Sequence, residues 1–230
     1  MLKLESPKEV YQEYLKHFGL QGGRRVVYEY FRDNYFEPIP KMNREDVIKE
    51  YKKLIPGRVY TYNYDPLYPD NLSFLDKRPI ILCIKEDINK NTKNHVHLGI
   101  NFNFVPNKVR LNLLEVLFKS FEKLIMQDAN RRIKDRQGRV TPIFKPNFDY
   151  YGVLEYLWNT VAKSGFKFAL RNYVFSQMDN VKMVDYDLWG LITFLESKDI
   201  TGASFGQIHK LYWTQKNKDL GNPKYKGHSR

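Results

Sequence analysis

The sequence predicts a single α+β domain, a small, mostly antiparallel, barrel-like sheet surrounded by helices. Three observations carry this. Residues 58–64 and 95–105 alternate, and residues 79–84 form an unbroken apolar run, so three strands fall within fifty residues with polar turns between them. Segments on both sides carry helical spacing instead. Strands grouped together, rather than alternating regularly with helices, argue against a parallel doubly wound sheet.

The elements follow in order. Ser6-Pro7-Lys8-Glu9 has the N-cap, the first-position proline and the third-position glutamate of a helix start. That helix is expected to end near Gly19, with Gly22-Gly23 as a break. A second helix over 24–34 carries Val27, Tyr30 and Phe31, and a third over 43–54 carries Val47, Ile48 and Tyr51. Tyr60, Tyr62 and Tyr64 share one face of the first strand. In the third, Val96, Leu98, Ile100, Phe102 and Phe104 oppose His97, Asn101 and Asn103. Residues 85–94 read as a polar connection. After Pro106, Val109, Leu113, Leu117, Phe121 and Leu124 predict a helix over 107–127. Residues 128–150 read as a basic loop, 152–162 and 166–176 as helices, 181–184 as a short strand and 191–195 as a last buried strand. Ser204 caps an expected helix to Trp213. This gives an N-terminal helical segment over 1–55, a core domain over 56–213 and a basic tail over 214–230.

A 230-residue chain with 42% hydrophobic and 15% aromatic residues buries a core without disulfides and is not a disordered polymer. The formal net charge is +12, and the sequence pI is near 9.5. Such a charge favours an anionic partner: nucleic acid, an acidic protein or a membrane surface. No apolar run reaches membrane-spanning length and the N-terminus lacks a signal-peptide core, so a cytoplasmic product with no membrane partner is expected. The single cysteine, Cys83, sits in the apolar run and reads as inert packing.

Chemistry-bearing residues are sparse. His95 and His97 share a strand face, but zinc needs further ligands that no motif supplies, so both read as half-exposed polar-face residues. Asp65 and Asp76 read as turn and ion-pair carboxylates, and Asp185 and Asp187 as turn or capping residues. Thr201-Gly202-Ala203-Ser204 reads as a loop and N-cap. With no phosphate-cradling glycine loop, nucleophile elbow or paired cysteine motif, the expectation is a non-enzyme with no cofactor and no metal. Two basic clusters stand out. Arg131, Arg132, Lys134, Arg136 and Arg139 fall within nine residues, opposed only by Asp135, and the tail adds Lys210, Lys216, Lys218, Lys224, Lys226 and Arg230. Placed in loops, such cations reach phosphates or an acidic protein surface equally well.

The central block carries a resemblance. Pro56-Gly57-Arg58-Val59-Tyr60-Thr61-Tyr62-Asn63-Tyr64-Asp65-Pro66, then Leu75-Asp76-Lys77-Arg78-Pro79-Ile80-Ile81, then Leu98-Gly99-Ile100-Asn101-Phe102-Asn103-Phe104-Val105-Pro106 and Arg110, resembles a family of small virion proteins of contractile-tailed phages, the DNA end protectors. Asp187-Leu188-Trp189, residues 191–195, Thr201-Gly202-Ala203-Ser204 and Trp213 look like its C-terminal pattern. Leu75 stands where the family has an aromatic residue, and Phe104-Val105 where it has Tyr-Leu. The resemblance implies a virion component, made in the host cytoplasm, that contacts or protects packaged double-stranded DNA ends near the head–tail vertex, in multiple copies among other virion proteins. Two alternatives remain open: a neck or baseplate subunit that touches only virion proteins, and a free cytoplasmic nucleic-acid-binding protein.

If the basic clusters engage DNA, each neutralised phosphate releases condensed counterion, and about five contacts give a log–log salt slope near −4 to −5. Replacing Arg131, Arg132 and Arg136 by alanine should flatten that slope and weaken all sequences alike, as read by a fluorescence-anisotropy titration across salt concentrations.

Overall fold

The computed structural model describes residues 4–36, 53–65, 76–89, 93–135 and 150–196. Helix α1 (Pro7–Phe31) begins as its sequence dictates. Ser6 Oγ accepts from the Glu9 amide at 3.3 Å, and Glu9 Oε2 accepts from the Ser6 amide at 2.7 Å, which satisfies two otherwise orphaned donors. Gly19, at φ 62°, interrupts the helix where glycine alone adopts that conformation without strain. The break thus lies at Gly19 and not at Gly22-Gly23, which are helical. Gly23 has a packing role instead: a Cβ there would lie 2.6 Å from the Phe194 ring. A π-helical turn, Arg32–Phe36, follows. The expected helix over 43–54 lies outside the described residues except at its end, where 53 and 54 are not helical and Leu54 is buried.

Among the described residues five strands form one antiparallel sheet: β1 (Val59–Tyr64), β2 (Ile80–Ile88), β3 (His95–Asn101), β4 (Leu170–Val174) and β5 (Met178–Met183), in the order β4-β3-β2-β1-β5. β2 is longer than expected, and its polar end, Lys85 to Ile88, pairs with the start of β3. The expected helix over 166–176 is instead a 3₁₀ turn (Lys167–Ala169), β4 and a second 3₁₀ turn (Phe175–Gln177). The open edge of β3 offers a ladder from Val96 to Ile100, and that pairing overrides a weak helical spacing. The late strand expected at 181–184 begins earlier, at Met178, and the one at 191–195 is a buried 3₁₀ turn, Leu191–Phe194.

The two edges, β4 and β5, run in the same direction, and three residues separate them. In a flat sheet four strand spacings would set them roughly 19 Å apart. Four Cα steps, from Val174 to Met178, reach at most about 14 Å. The sheet must therefore curl, and residues 170–183 carry the chain from one edge to the other. Among the described residues no ladder joins β4 to β5, so the sheet they form is open and not a closed barrel.

Both faces of the sheet are covered. Val59, Ile80, Leu82, Ile84 and Ile100 meet the larger core, filled from α1, from α2 (Asn107–Asp135), from α3 (Tyr150–Ala162) and from the 3₁₀ turn at Leu191–Phe194. Tyr60, Tyr62, Ile81, Cys83 and Tyr173 point the other way into a second cluster under Leu54, Phe175 and Met178. The Tyr62, Tyr64 and Tyr173 rings meet edge to face. α2 keeps its expected stripe and continues to Asp135 rather than ending at 127. Residues 128–135 contain no glycine or proline, and arginine is a good helix former.

One cation binds these parts together. Arg110, on α2, is fully buried, and its guanidinium donates to the carbonyls of Ile192, Leu195 (3.0 Å) and Val105 (3.2 Å). Burial pulls its pKa down to about 9, which leaves it charged at neutral pH. Truncation to methionine takes a donor from three buried carbonyls, of which only that of Ile192 keeps a second, the Leu195 amide at 3.3 Å, and each stranded carbonyl costs about 1–3 kcal/mol. Arg110→Met should therefore lower unfolding stability by about 2–4 kcal/mol, with Arg110→Lys no better, because one ammonium cannot span three acceptors. Urea denaturation of the two variants checks this.

His97 corrects the sequence expectation. It is fully buried under Leu54, whose amide lies 3.5 Å from Nε2, with the Phe175 ring beside it. Burial pushes its pKa down to about 4, against the opposing pull of Glu86. The unfolded chain thus binds a proton first, and stability falls as pH drops from about 6.5 toward 4, by about 2–3 kcal/mol from this group. The urea midpoint of His97→Gln, followed over that interval, should fall less than that of the parent chain.

Candidate nucleic-acid interface

A cleft of about 590 Å³ opens between α1 and the segment that leads into β2. Arg24 and Arg25 reach it from the second half of α1, and Arg78 from the β2 approach. Tyr28, one helical turn beyond Arg24, and Phe36 add aromatic surface, and Tyr28 is 55% exposed. The carboxylates present are Asp76 and Glu196. Three guanidinium groups against two carboxylates leave the lining basic.

The cleft floor is tied down by amides. Asp76 is buried, and its Oδ2 accepts from Asn101 Nδ2 at 2.9 Å and from Asn103 Nδ2 at 2.8 Å, while Oδ1 accepts from the Arg78 amide at 3.3 Å. Asn101 also donates to the Tyr173 hydroxyl, and Asn103 to the Arg78 carbonyl. Asp76 is therefore more than the turn carboxylate expected: it anchors the Arg78 backbone to β3 and to the 3₁₀ turn that follows it, Phe102–Phe104. Arg24 Nε is buried and has no hydrogen-bond partner among the described residues. A buried donor of this kind costs free energy unless a ligand or water satisfies it.

Arg131, Arg132 and Lys134 lie on the last turns of α2 rather than in a loop. Arg136, Arg139, Lys210, Lys216, Lys218, Lys224, Lys226 and Arg230, with Ser204 and the loop before it, lie outside the described residues. Sequence reasoning missed Arg24, Arg25 and Arg78. Arg24 and Arg25 are a single adjacent pair on α1 and Arg78 lies on a distant segment, and only the fold brings them to one cleft.

The other candidates are structural. His95 Nδ1 pairs with Glu86 Oε1 at 2.7 Å, and Lys53 pairs with the other oxygen of Glu86 at 3.0 Å. Among the described residues no three histidine, cysteine or carboxylate groups gather as a metal site. Cys83 is buried, which pushes its thiol pKa up and leaves it unreactive. Asp65 is exposed, and its amide donates to Gln177. Asp187 is exposed in the turn Tyr186–Leu188, and Asp185 precedes that turn without a side-chain cap. Among the described residues no helix is long and apolar enough to cross a membrane.

No curated protein and no solved structure matches the chain. A family model does, over residues 34–139, and its description is Phage T4 terminal DNA protecting protein. The matched span takes in β1 to β3, Asp76, Arg78, Asn101, Asn103 and Arg110, and all of α2. It leaves out Arg24, Arg25 and the C-terminal pattern at 185–213. Residues 34–139 therefore match the Phage T4 terminal DNA protecting protein family, the one that the central motifs resemble.

Proposed function

We propose that this protein binds the ends of linear double-stranded DNA and shields them by occupancy, without turnover. The match of residues 34–139 to a DNA-protecting family carries the reading. The net charge of +12 supports it, because phosphate contacts dominate the affinity of such proteins, and so does the arginine-lined cleft. A shield needs residence on the end rather than chemistry there, which fits a site in which Asp76 is already satisfied by amides.

The phage origin of the family supports a place in the particle, at the vertex where a packaged DNA end lies. Neighbouring virion proteins suit the exposed apolar residues on α1 (Leu15, Phe18 and Leu20) and the exposed tyrosines on α3 (Tyr151 and Tyr156).

An exonuclease assay tests the reading. Linear duplex mixed with excess protein should stay full length when a double-strand exonuclease is added, while the same DNA alone is degraded. A relaxed circle should not relieve the protection as efficiently as a linear competitor. Degradation at the same rate with and without protein, at low salt, would remove the DNA-protecting role.

A further inference from the structure

We infer that the cleft between α1 and the β2 approach seats a phosphorylated strand terminus, with Arg24, Arg25 and Arg78 on the phosphate and Tyr28 against the adjoining base. The inference rests on the DNA-end reading and deepens it by naming the part of the DNA that is recognised.

Shape is the first argument. The cleft, at about 590 Å³, lies within the range of small-ligand pockets. A base-paired duplex is too wide to enter such a space, whereas one terminal nucleotide fits. The site therefore distinguishes an end from the middle of a duplex by geometry, and that is the discrimination an end-shielding protein needs. A flat basic patch would bind any stretch of backbone alike.

Chemistry is the second. Guanidinium groups bind phosphate in a planar, two-pronged geometry that lysine cannot reproduce, and among the described residues the cations that line this cleft are all arginines. Arg24 Nε is a buried donor with no partner among the described residues. A phosphate oxygen in the cleft would give it one. A terminal phosphate also carries more charge and more free oxygens than an internal diester, so it gains more from several cations at once. The exposed ring of Tyr28 stands one turn along the helix from Arg24, where a base attached to that phosphate could stack.

The carboxylates do not defeat this arrangement. Asp76 spends its oxygens on Asn101, Asn103 and the Arg78 amide, and in doing so fixes the backbone that presents Arg78. Glu196 is exposed and ends the described C-terminal stretch. Its charge opposes an anion, and Glu196→Gln should tighten binding.

The test compares four probes by equilibrium titration against the full chain: a blunt duplex with 5′-phosphates, the same duplex without them, a covalently closed circle, and a deoxynucleoside 5′-monophosphate as competitor. The phosphorylated duplex should bind about tenfold more tightly than the unphosphorylated one, the equivalent of one charge-assisted hydrogen bond. The circle should bind weakest, and the monophosphate should compete with the phosphorylated end. Arg25→Ala with Arg78→Ala, both at exposed positions, should erase the phosphate preference without moving the thermal midpoint. Tyr28→Ala should weaken both duplexes. If the folded double variant keeps the full preference, the cleft is not the seat, although the DNA-end reading stands. Equal binding of both duplexes by the parent chain would overturn phosphate recognition. Indifference to all DNA at low salt would overturn both readings.

Discussion

A buried guanidinium holds the described parts of this protein in register. Arg110 leaves α2 and donates to carbonyls at the end of the Phe102–Phe104 turn and around the Leu191–Phe194 turn. Those carbonyls sit in irregular backbone with no ladder to join. Ile192 also accepts from the Leu195 amide at 3.3 Å, but without Arg110 all three would lose a charged donor inside an apolar core, and the segments that carry them would have less reason to pack there. Phe194 in turn supplies the ring that Gly23 approaches, so the position of α1 depends on the same clamp. A lone buried charge is normally expensive. Here carbonyl dipoles take the place of a counterion and make the cost bearable.

The cleft is a by-product of that arrangement. One wall is α1, held against Phe194, and the other is the lead-in to β2, held by Asp76 and its asparagines. Neither wall contains a sequence cluster that announces a site. A rigid floor with arginines on separate segments is how a fold turns scattered cations into a shaped one. The basic run at 131–139 and the tail differ in kind: they are contiguous in sequence, and they suit length-independent attraction to phosphate more than recognition of an end.

Much of the fold was legible because local signals agreed with the tertiary outcome. The Ser6–Glu9 box, the alternation in β1 and β3, the apolar run of β2 and the stripe on α2 each match what packs. The misses have physical causes. Phe166, Phe168 and Tyr173 sit at spacings that serve a helix or a strand equally, and only the unpaired edge of β3 decides between them. His97 lies on a face that alternation marks as polar and wet, yet Leu54 and Phe175 cover it from distant parts of the chain. The 191–195 segment is as buried as a strand, but its backbone closes a 3₁₀ turn and joins no ladder. The site was the least legible part, since Arg25 and Arg78 are fifty-three positions apart.

The path of residues 170–183 across the curled sheet has a consequence for how the chain is made. β1, β2 and β3 leave the ribosome long before the stretch that pairs with both of their outer edges. Until it arrives, β1 and β3 each present an open row of amides and carbonyls, flanked by tyrosines and isoleucines. Domains fold as synthesis proceeds, but this one cannot finish its sheet until about four-fifths of its length is out. Such delayed, long-range pairing is slow and leaves the nascent protein open to sticking to its own copies. A chain interrupted before residue 170 would keep both edges bare, and aggregation rather than a smaller working protein is its natural fate.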